Sequence, residues 1–299
     1  MKDCSLLKVV CFGEILFDVF PDEERIGGAP LNVASRLSSL GIHTEMISKI
    51  GKDEKGEQVL AYLNKNKIHA SNIKMDAKHP TGLVKVSLSS RGSATYEFAY
   101  PSAWDHIELT DGIKESVKNA DAFIYGSLAC RDDVTRNTLF ELLKVAKYKI
   151  FDFNLRPPHY TYDNLVELIQ FADFIKFNDD ELFEFSEAIG SKYNSMEQNI
   201  RFISERYPNT TICVTKGRHG AILLAEDTFY YNSGYKINVK DTVGAGDSFL
   251  ASLIGKLLLG EDYQNSLDYA CAIGALVAGE SGANPHLDEN RILEFMCLE

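Results

Sequence analysis

Six short, largely apolar segments recur along the chain of 299 residues, each separated from the next by amphipathic sequence. They are Leu7–Phe12, Met46–Ile50, Ala122–Tyr125, Lys149–Phe153, Phe174–Phe177 and Ile212–Thr215. A strand with one wet face alternates polar and apolar residues, whereas a strand covered on both faces is apolar throughout. Between these runs the spacing is helical: Val33, Leu37 and Leu40 share a face in Pro30–Leu40, as do Met196, Ile200 and Ile203 in Met196–Tyr207. Doubly covered strands alternating with helices imply a mostly parallel sheet between helical layers. The expected fold is a three-layer α/β/α architecture in one domain, residues 1–299.

Two regions depart from this pattern. Leu83–Leu88 alternates at period two, as does Tyr96–Tyr100 after the turn Ser90-Arg91-Gly92-Ser93, which reads as a hairpin of half-exposed strands. Ile15–Phe20, ending at Pro21-Asp22, reads as a further short strand. Together, residues 14–26 and 81–104 predict a small antiparallel β lid outside the main sheet. A protruding sheet with one apolar face must cover a ligand site, a partner subunit or both.

The charge balance narrows the partners. Thirty-one Lys and Arg against 43 Asp and Glu give a net charge of −12, which argues against a phosphate-backbone binder. The six cysteines form no C-x-x-C pair or zinc spacing and read as small buried hydrophobes. No segment has the length of a signal peptide core or a membrane helix, so a cytoplasmic location is expected.

The strongest motif is Asp241-Thr242-Val243-Gly244-Ala245-Gly246-Asp247-Ser248. It opens a helix whose apolar face carries Phe249, Leu250, Leu253, Ile254, Leu257 and Leu258. Bare backbone N–H groups at a helix start, together with the helix dipole, favour an anion. A carboxylate in that first turn, Asp247, is placed to accept a proton from an attacking hydroxyl; it also simply complements the dipole. The dipole predicts a low pKa for it. The motif is neither a dinucleotide fingerprint, since Phe249 stands where glycine is required, nor a P-loop, since no G-K-[ST] follows.

Four further clusters fall at predicted strand ends or helix starts. Gly27-Gly28-Ala29-Pro30-Leu31-Asn32 combines permissive glycines, a helix-starting proline and an amide suited to sugar hydroxyls; Asp18 is a second hydroxyl acceptor. Asn178-Asp179-Asp180-Glu181 is equally a capping box and a magnesium-facing pair. Asp152–Arg156 ends a core strand, where ligands of open parallel sheets bind; Arg156 suits a phosphate or a sugar, or a structural ion pair. Thr215-Lys216-Gly217-Arg218-His219-Gly220 lines a nucleotide pocket or forms a plain turn.

GGAPLN with Gly41 and Gly51 downstream, DTVGAGDSF near the C-terminus and D-x-N-x-R at Asp152–Arg156 resemble the signatures of the ribokinase-like carbohydrate kinases, most closely the fructokinase branch. The resemblance runs from about Val9 to Ala283. It implies a kinase using ATP and Mg2+, with K+ as a candidate further ion, to phosphorylate a primary hydroxyl of a small sugar, most simply fructose to fructose 6-phosphate. It assigns Asp247 as general base and Gly244, Ala245 and Gly246 as the anion hole. Asp18, Gly28 and Asn32 match sugar contacts, with Phe98 and Arg156 as further substrate contacts. Asn178, Thr215, Lys216, Gly217 and Gly220 fall at the nucleotide, and Glu181 at Mg2+ through water. Asp241, with the backbone near Gly279–Gly282, matches the loops that hold a monovalent cation. The lid implies a homodimer, with Tyr96, Phe98 and Tyr100 on its inner face, and Trp104 either stacks on the sugar or packs beneath. Alternatives are a kinase for ribose, a 2-keto-3-deoxy sugar acid or a nucleoside, a catalytically silent sensor, and a nicotinamide oxidoreductase disfavoured by Phe249.

Overall fold

The apolar runs become the central strands. The computed structural model describes residues 6–88, 94–207 and 210–297. In chain order the strands are β1 (Lys8–Phe12), β2 (Leu16–Val19), β3 (Glu24–Gly27), β4 (His43–Gly51), β5 (Ile73–Asp76), β6 (Gly82–Leu88) and β7 (Ala94–Phe98). There follow β8 (Ala122–Gly126), β9 (Lys149–Asp152), β10 (Phe174–Asn178), β11 (Thr211–Thr215), β12 (Ala221–Ala225) and β13 (Thr228–Asn232). Among the described residues the main sheet has the order β13-β12-β11-β10-β9-β8-β1-β4-β5, parallel from β11 to β5. One face packs on Phe12, Phe123, Phe151 and Phe177, the other on Cys11, Ile124, Ile150 and Phe174. Adjacent residues of one strand thus enter different cores, so a polar alternation would bury an unpaired group.

The hairpin β12–β13 adds an antiparallel edge. Its turn residues Glu226 and Asp227 adopt φ 48 and 60. Those angles usually call for Asn-Gly, so the turn left no signal in the sequence.

The lid has the order β3-β2-β6-β7. Its outer pairings are antiparallel, while β2 and β6, separated in the chain by a long excursion through the main sheet, pair in parallel. Leu16, Val84 and Val86 form its small core, with Lys85 exposed between the valines. The expected turn Ser90–Ser93 and the Tyr96 side chain lie outside the described residues, as do Cys4 and the Cys297 side chain. Cys11, Cys130, Cys213 and Cys271 are buried free thiols.

The lid is anchored by a buried ion pair. Arg131 donates to Asp105 at 2.6 Å and to the Ala99 carbonyl at 2.8 Å, with its guanidinium 3.9 Å over the Trp104 ring. Trp104 is 1% exposed, and a Cβ on Gly82 would meet its Nε1 at 2.6 Å. It packs beneath the lid. Tyr100 also departs from expectation: it is exposed and its hydroxyl donates to Asp132 at 2.9 Å, so it is no part of an inner aromatic face.

Candidate active site

Because β1, β8, β9, β10 and β11 are parallel, the segments that follow them converge on one edge. Chain order reverses between β1 and β8, which is the ligand-binding position of open α/β sheets. Two of the helix starts at this edge carry the glycine-rich motifs. Ala29–Ser39 begins after Gly28 (φ 115), where a Cβ would stand 2.5 Å from the Glu14 carbonyl oxygen. Ala245–Leu259 begins after Gly244 (φ 74), where a Cβ would meet Ala283 at 2.5 Å. Both positions require glycine. The helices lie side by side, linked by Arg36 Nε to Ser248 Oγ at 3.3 Å.

That packing brings the two motifs into contact across 215 residues. Asn32 Nδ2 donates to Asp247 Oδ2 at 2.8 Å, and Asn32 Oδ1 accepts from Asn284 at 2.9 Å. Both faces of the Asn32 amide are thereby fixed, which orients the carboxylate. Asp247 Oδ1 accepts nothing from the described residues. Asp18, on the lid, sits over Gly27, whose missing Cβ leaves room for Oδ2.

The amide cradle differs slightly from expectation. Ala245 N–H closes a turn on the Thr242 carbonyl at 3.2 Å, so it is not a bare donor. Gly246 and Asp247 N–H have no acceptor among the described residues and no side chain caps this helix. They are the free backbone donors of this helix start.

Asp247 also departs from the low pKa expected of a helix start. Burial and the neighbouring Asp152 charge push it up to about 6, against the opposing Asn32 hydrogen bond and the charges of Lys176 and Arg156. Asp18 is likewise pushed up to about 6, chiefly by burial, with Arg156 opposing. Arg156 therefore stands within electrostatic reach of both carboxylates, its own Nη1 donating to the Leu155 carbonyl at 3.0 Å. Were Asp247 the proton acceptor of a reaction, it would have to be ionised, and kcat/KM would then fall as pH drops through about 6, about tenfold per pH unit for one essential carboxylate and more steeply if Asp18 must also ionise. A profile flat down to pH 5 would contradict this.

Asn178 and Glu181 form the full capping box of helix Asp179–Ala188: Asn178 Oδ1 accepts from Glu181 N–H, and Glu181 Oε2 from Asn178 N–H, each at 2.8 Å. Glu181 Oε1 accepts from Leu155 N–H at 2.9 Å, tying the ends of β9 and β10 together. Burial raises its pKa, opposed by Lys176. Thr215 Oγ1 donates to the Phe177 carbonyl, and Lys216 N–H to the Gly220 carbonyl. Gly220 (φ 78) is packed against the Asn232 carbonyl, a structural need, whereas Gly217 (φ 53) opens onto free space. Phe98 lies edge-on to His159, with ring centroids 5.4 Å apart.

Asp241 carries an unexpected partner. Arg25 of β3 donates to its Oδ2 at 2.8 Å, Gly282 N–H to the same oxygen at 3.1 Å, and Val243 N–H to Oδ1 at 3.0 Å. These bonds outweigh burial and hold the carboxyl below its usual range. The lid is thus tied to the loop that precedes the cradle.

Sequence reasoning missed Glu14, Arg25, Lys176 and Asn284. Glu14 lies two residues past the end of β1; its Oε2 is buried without a partner, and burial pushes its pKa up to about 7. It lines a cavity of about 10 Å³, the space of one water, with Ser127 and Asp152. Asp152 Oδ2 is likewise unpartnered. The signal for Lys176 was a charge inside an apolar strand.

Residues 6–290 match the pfkB family carbohydrate kinases. A probable fructokinase-2 from Arabidopsis thaliana is 30% identical over 97% of this chain and 96% of its own length. A Vibrio cholerae fructokinase structure, with fructose, ADP and calcium bound, superposes with TM-score 0.84 at 23% identity, covering 98% of this chain and 99% of that one. An uncharacterized sugar kinase from Pyrococcus horikoshii, in complex with ATP, gives 0.81 at 26% identity, covering 97% and 98%. With its cradle and carboxylate at the switch point of a ribokinase-like sheet, the chain belongs to the pfkB family and is a carbohydrate kinase.

Proposed function

We propose that this kinase transfers the γ-phosphoryl group of ATP to the primary hydroxyl of fructose, giving fructose 6-phosphate. The observation that carries the reading is the 2.8 Å bond from Asn32 to Asp247, which joins the sugar-side helix to the cradle. The plant relative's name and the fructose and ADP in the Vibrio structure support fructose as the acceptor.

The chemistry follows from positions. Asp18 and Asn32 hold sugar hydroxyls, Gly28 lets the backbone approach them, and Phe98 and Arg156 border the sugar. The hydroxyl to be phosphorylated donates to Asp247 Oδ1, the oxygen that Asn32 leaves free. The Gly246 and Asp247 amides receive the phosphoryl oxygens where charge spreads in a loose transition state. Asp247 takes the hydroxyl proton as the new bond forms. Asn178 and the Thr215–Gly220 segment, with the open Gly217, face the nucleotide. The lid, held by Arg25, excludes water and so limits ATP hydrolysis.

Magnesium fits this site as a nucleotide-borne ion. Among the described residues no group of three or more His, Cys, Asp or Glu is placed to cage a metal. Mg2+ is commonly held by one or two carboxylates and substrate phosphates. Asp152, with its orphan oxygen, and Glu181 through water would hold it, and the ion would neutralise phosphate charge. A monovalent cation at Asp241 would share that carboxylate with Arg25 or replace it.

A coupled ADP-release assay over fructose, glucose, ribose, a 2-keto-3-deoxy sugar acid and a nucleoside tests the substrate. Fructose should lead by at least about tenfold in kcat/KM, with product phosphorus resonances assigned to the 6-position. Arg156 makes the sugar acid the informative rival: its preference over fructose would overturn the assignment.

A further inference from the structure

Lys176 is the one charge in the run Phe174–Phe177, on β10 between β9 and β11 in the middle of the sheet. An ammonium taken out of water there needs compensation, because desolvation of an ion costs several kcal/mol. Its Nζ donates to Asp152 Oδ1 at 2.9 Å, directly across the β9–β10 register, with side chains 7% and 5% exposed. That accounts for one of the three ammonium donors; no other acceptor among the described residues takes a hydrogen bond from it. Nor is the hydrogen bonding of the pair complete on the other side, since Asp152 Oδ2 is itself buried and unpartnered.

Gly246 shows which way the ammonium faces. A Cβ on that residue would meet Lys176 Nζ before any other atom, at 3.6 Å. The ammonium thus lies close to the Cα of Gly246, whose amide is free, and within electrostatic reach of Asp247.

We propose that Lys176 donates a hydrogen bond to the transferring phosphoryl group, as a catalytic residue of the cradle. This rests on the kinase reading above. The bond from the γ-phosphorus to the β–γ bridging oxygen breaks, and the bond to the sugar oxygen forms. ADP leaves with the electron pair, the hydroxyl proton passes to Asp247, and Lys176 keeps all its protons. Asp152 is the positioning residue, holding the ammonium by one hydrogen so that two remain for phosphoryl oxygens.

The test is Lys176→Met, of similar length and without charge. Turnover should fall about 10²–10³-fold, the scale for losing one preorganised donor, with the KM for fructose unchanged. Calorimetric affinity for ATP should weaken while affinity for ADP holds, since only ATP carries the γ-phosphoryl group. Wild-type turnover in the variant, or equal weakening for ATP and ADP, would overturn the assignment. If the variant does not fold, a wild-type crystal with fructose and a non-hydrolysable ATP analogue decides. Nζ within about 3.2 Å of a γ-phosphoryl oxygen supports the proposal; Nζ bonded to Asp152 alone refutes it. Wild-type protein inactive on every sugar would overturn the kinase reading and this assignment together, whereas an active wild type with an unperturbed Lys176→Met overturns this assignment alone.

Discussion

Asp247→Asn should lower kcat about 10²–10⁴-fold, the usual scale for losing a general base, while fructose still binds. The amide keeps the shape of the side chain and can turn its oxygen toward Asn32 Nδ2, so the 2.8 Å contact of the parent survives as a neutral bond. What disappears is the capacity to take the hydroxyl proton. Turnover within a few-fold of the parent would remove Asp247 from the mechanism. The same variant carries a stability signature with a definite sign. Burial pushes the folded carboxyl up to about 6, above the ordinary aspartate range. Its favourable contribution is complete below the unfolded pKa and is lost as pH rises through the folded one. The asparagine variant should therefore melt higher than the parent at pH 8, with the gap closing below pH about 4. A gap that widens in acid would show that burial is not the main influence on this group.

Gly244→Ala should be the second severe lesion. Gly244 has φ 74, and the added methyl would stand 2.5 Å from Ala283 Cβ and 2.6 Å from its Cα and carbonyl oxygen. Two penalties combine: an L-residue in the left-handed region, about 1–2 kcal/mol, and a clash with backbone that cannot rotate away. The first turn must then shift, and the Gly246 and Asp247 amides shift with it. A loss of about 10²–10³-fold in kcat is expected, comparable to losing an oxyanion donor. Gly260 supplies the control. It caps the other end of the same helix at φ 88 with nothing within 4 Å of a Cβ. Gly260→Ala should share the conformational cost, read as a lower melting temperature, and leave turnover unchanged. Equal turnover in both variants would separate the cradle from catalysis.

The two predictions depend differently on sequence and structure. The parallel sheet was legible because doubly buried strands must be apolar throughout, and β1, β8 and β10 are visible as runs. The lid was legible because Val84, Lys85 and Val86 alternate. The edge hairpin β12–β13 was not, because Glu226-Asp227 makes a left-handed turn without glycine. Gly244 and Asp247 were marked by local chemistry, since a helix start with bare amides is a property of adjacent residues. Lys176 was marked only by a charge inside an apolar run, while Arg25 and Glu14 carried no such mark: the partner of Arg25 lies 216 residues away, and Glu14 is set apart only by its burial.

The sequence alone determined the sheet, the lid and the two helix starts, because periodicity, glycine placement and capping act over a few residues. Tertiary structure alone decided that Asn32 orients Asp247, that Arg25 reaches Asp241, and that Trp104 is packed away. It also reversed the expected acidity of Asp247. The helix dipole is local and readable, whereas desolvation and the charge of Asp152 exist only once the chain has closed around the group.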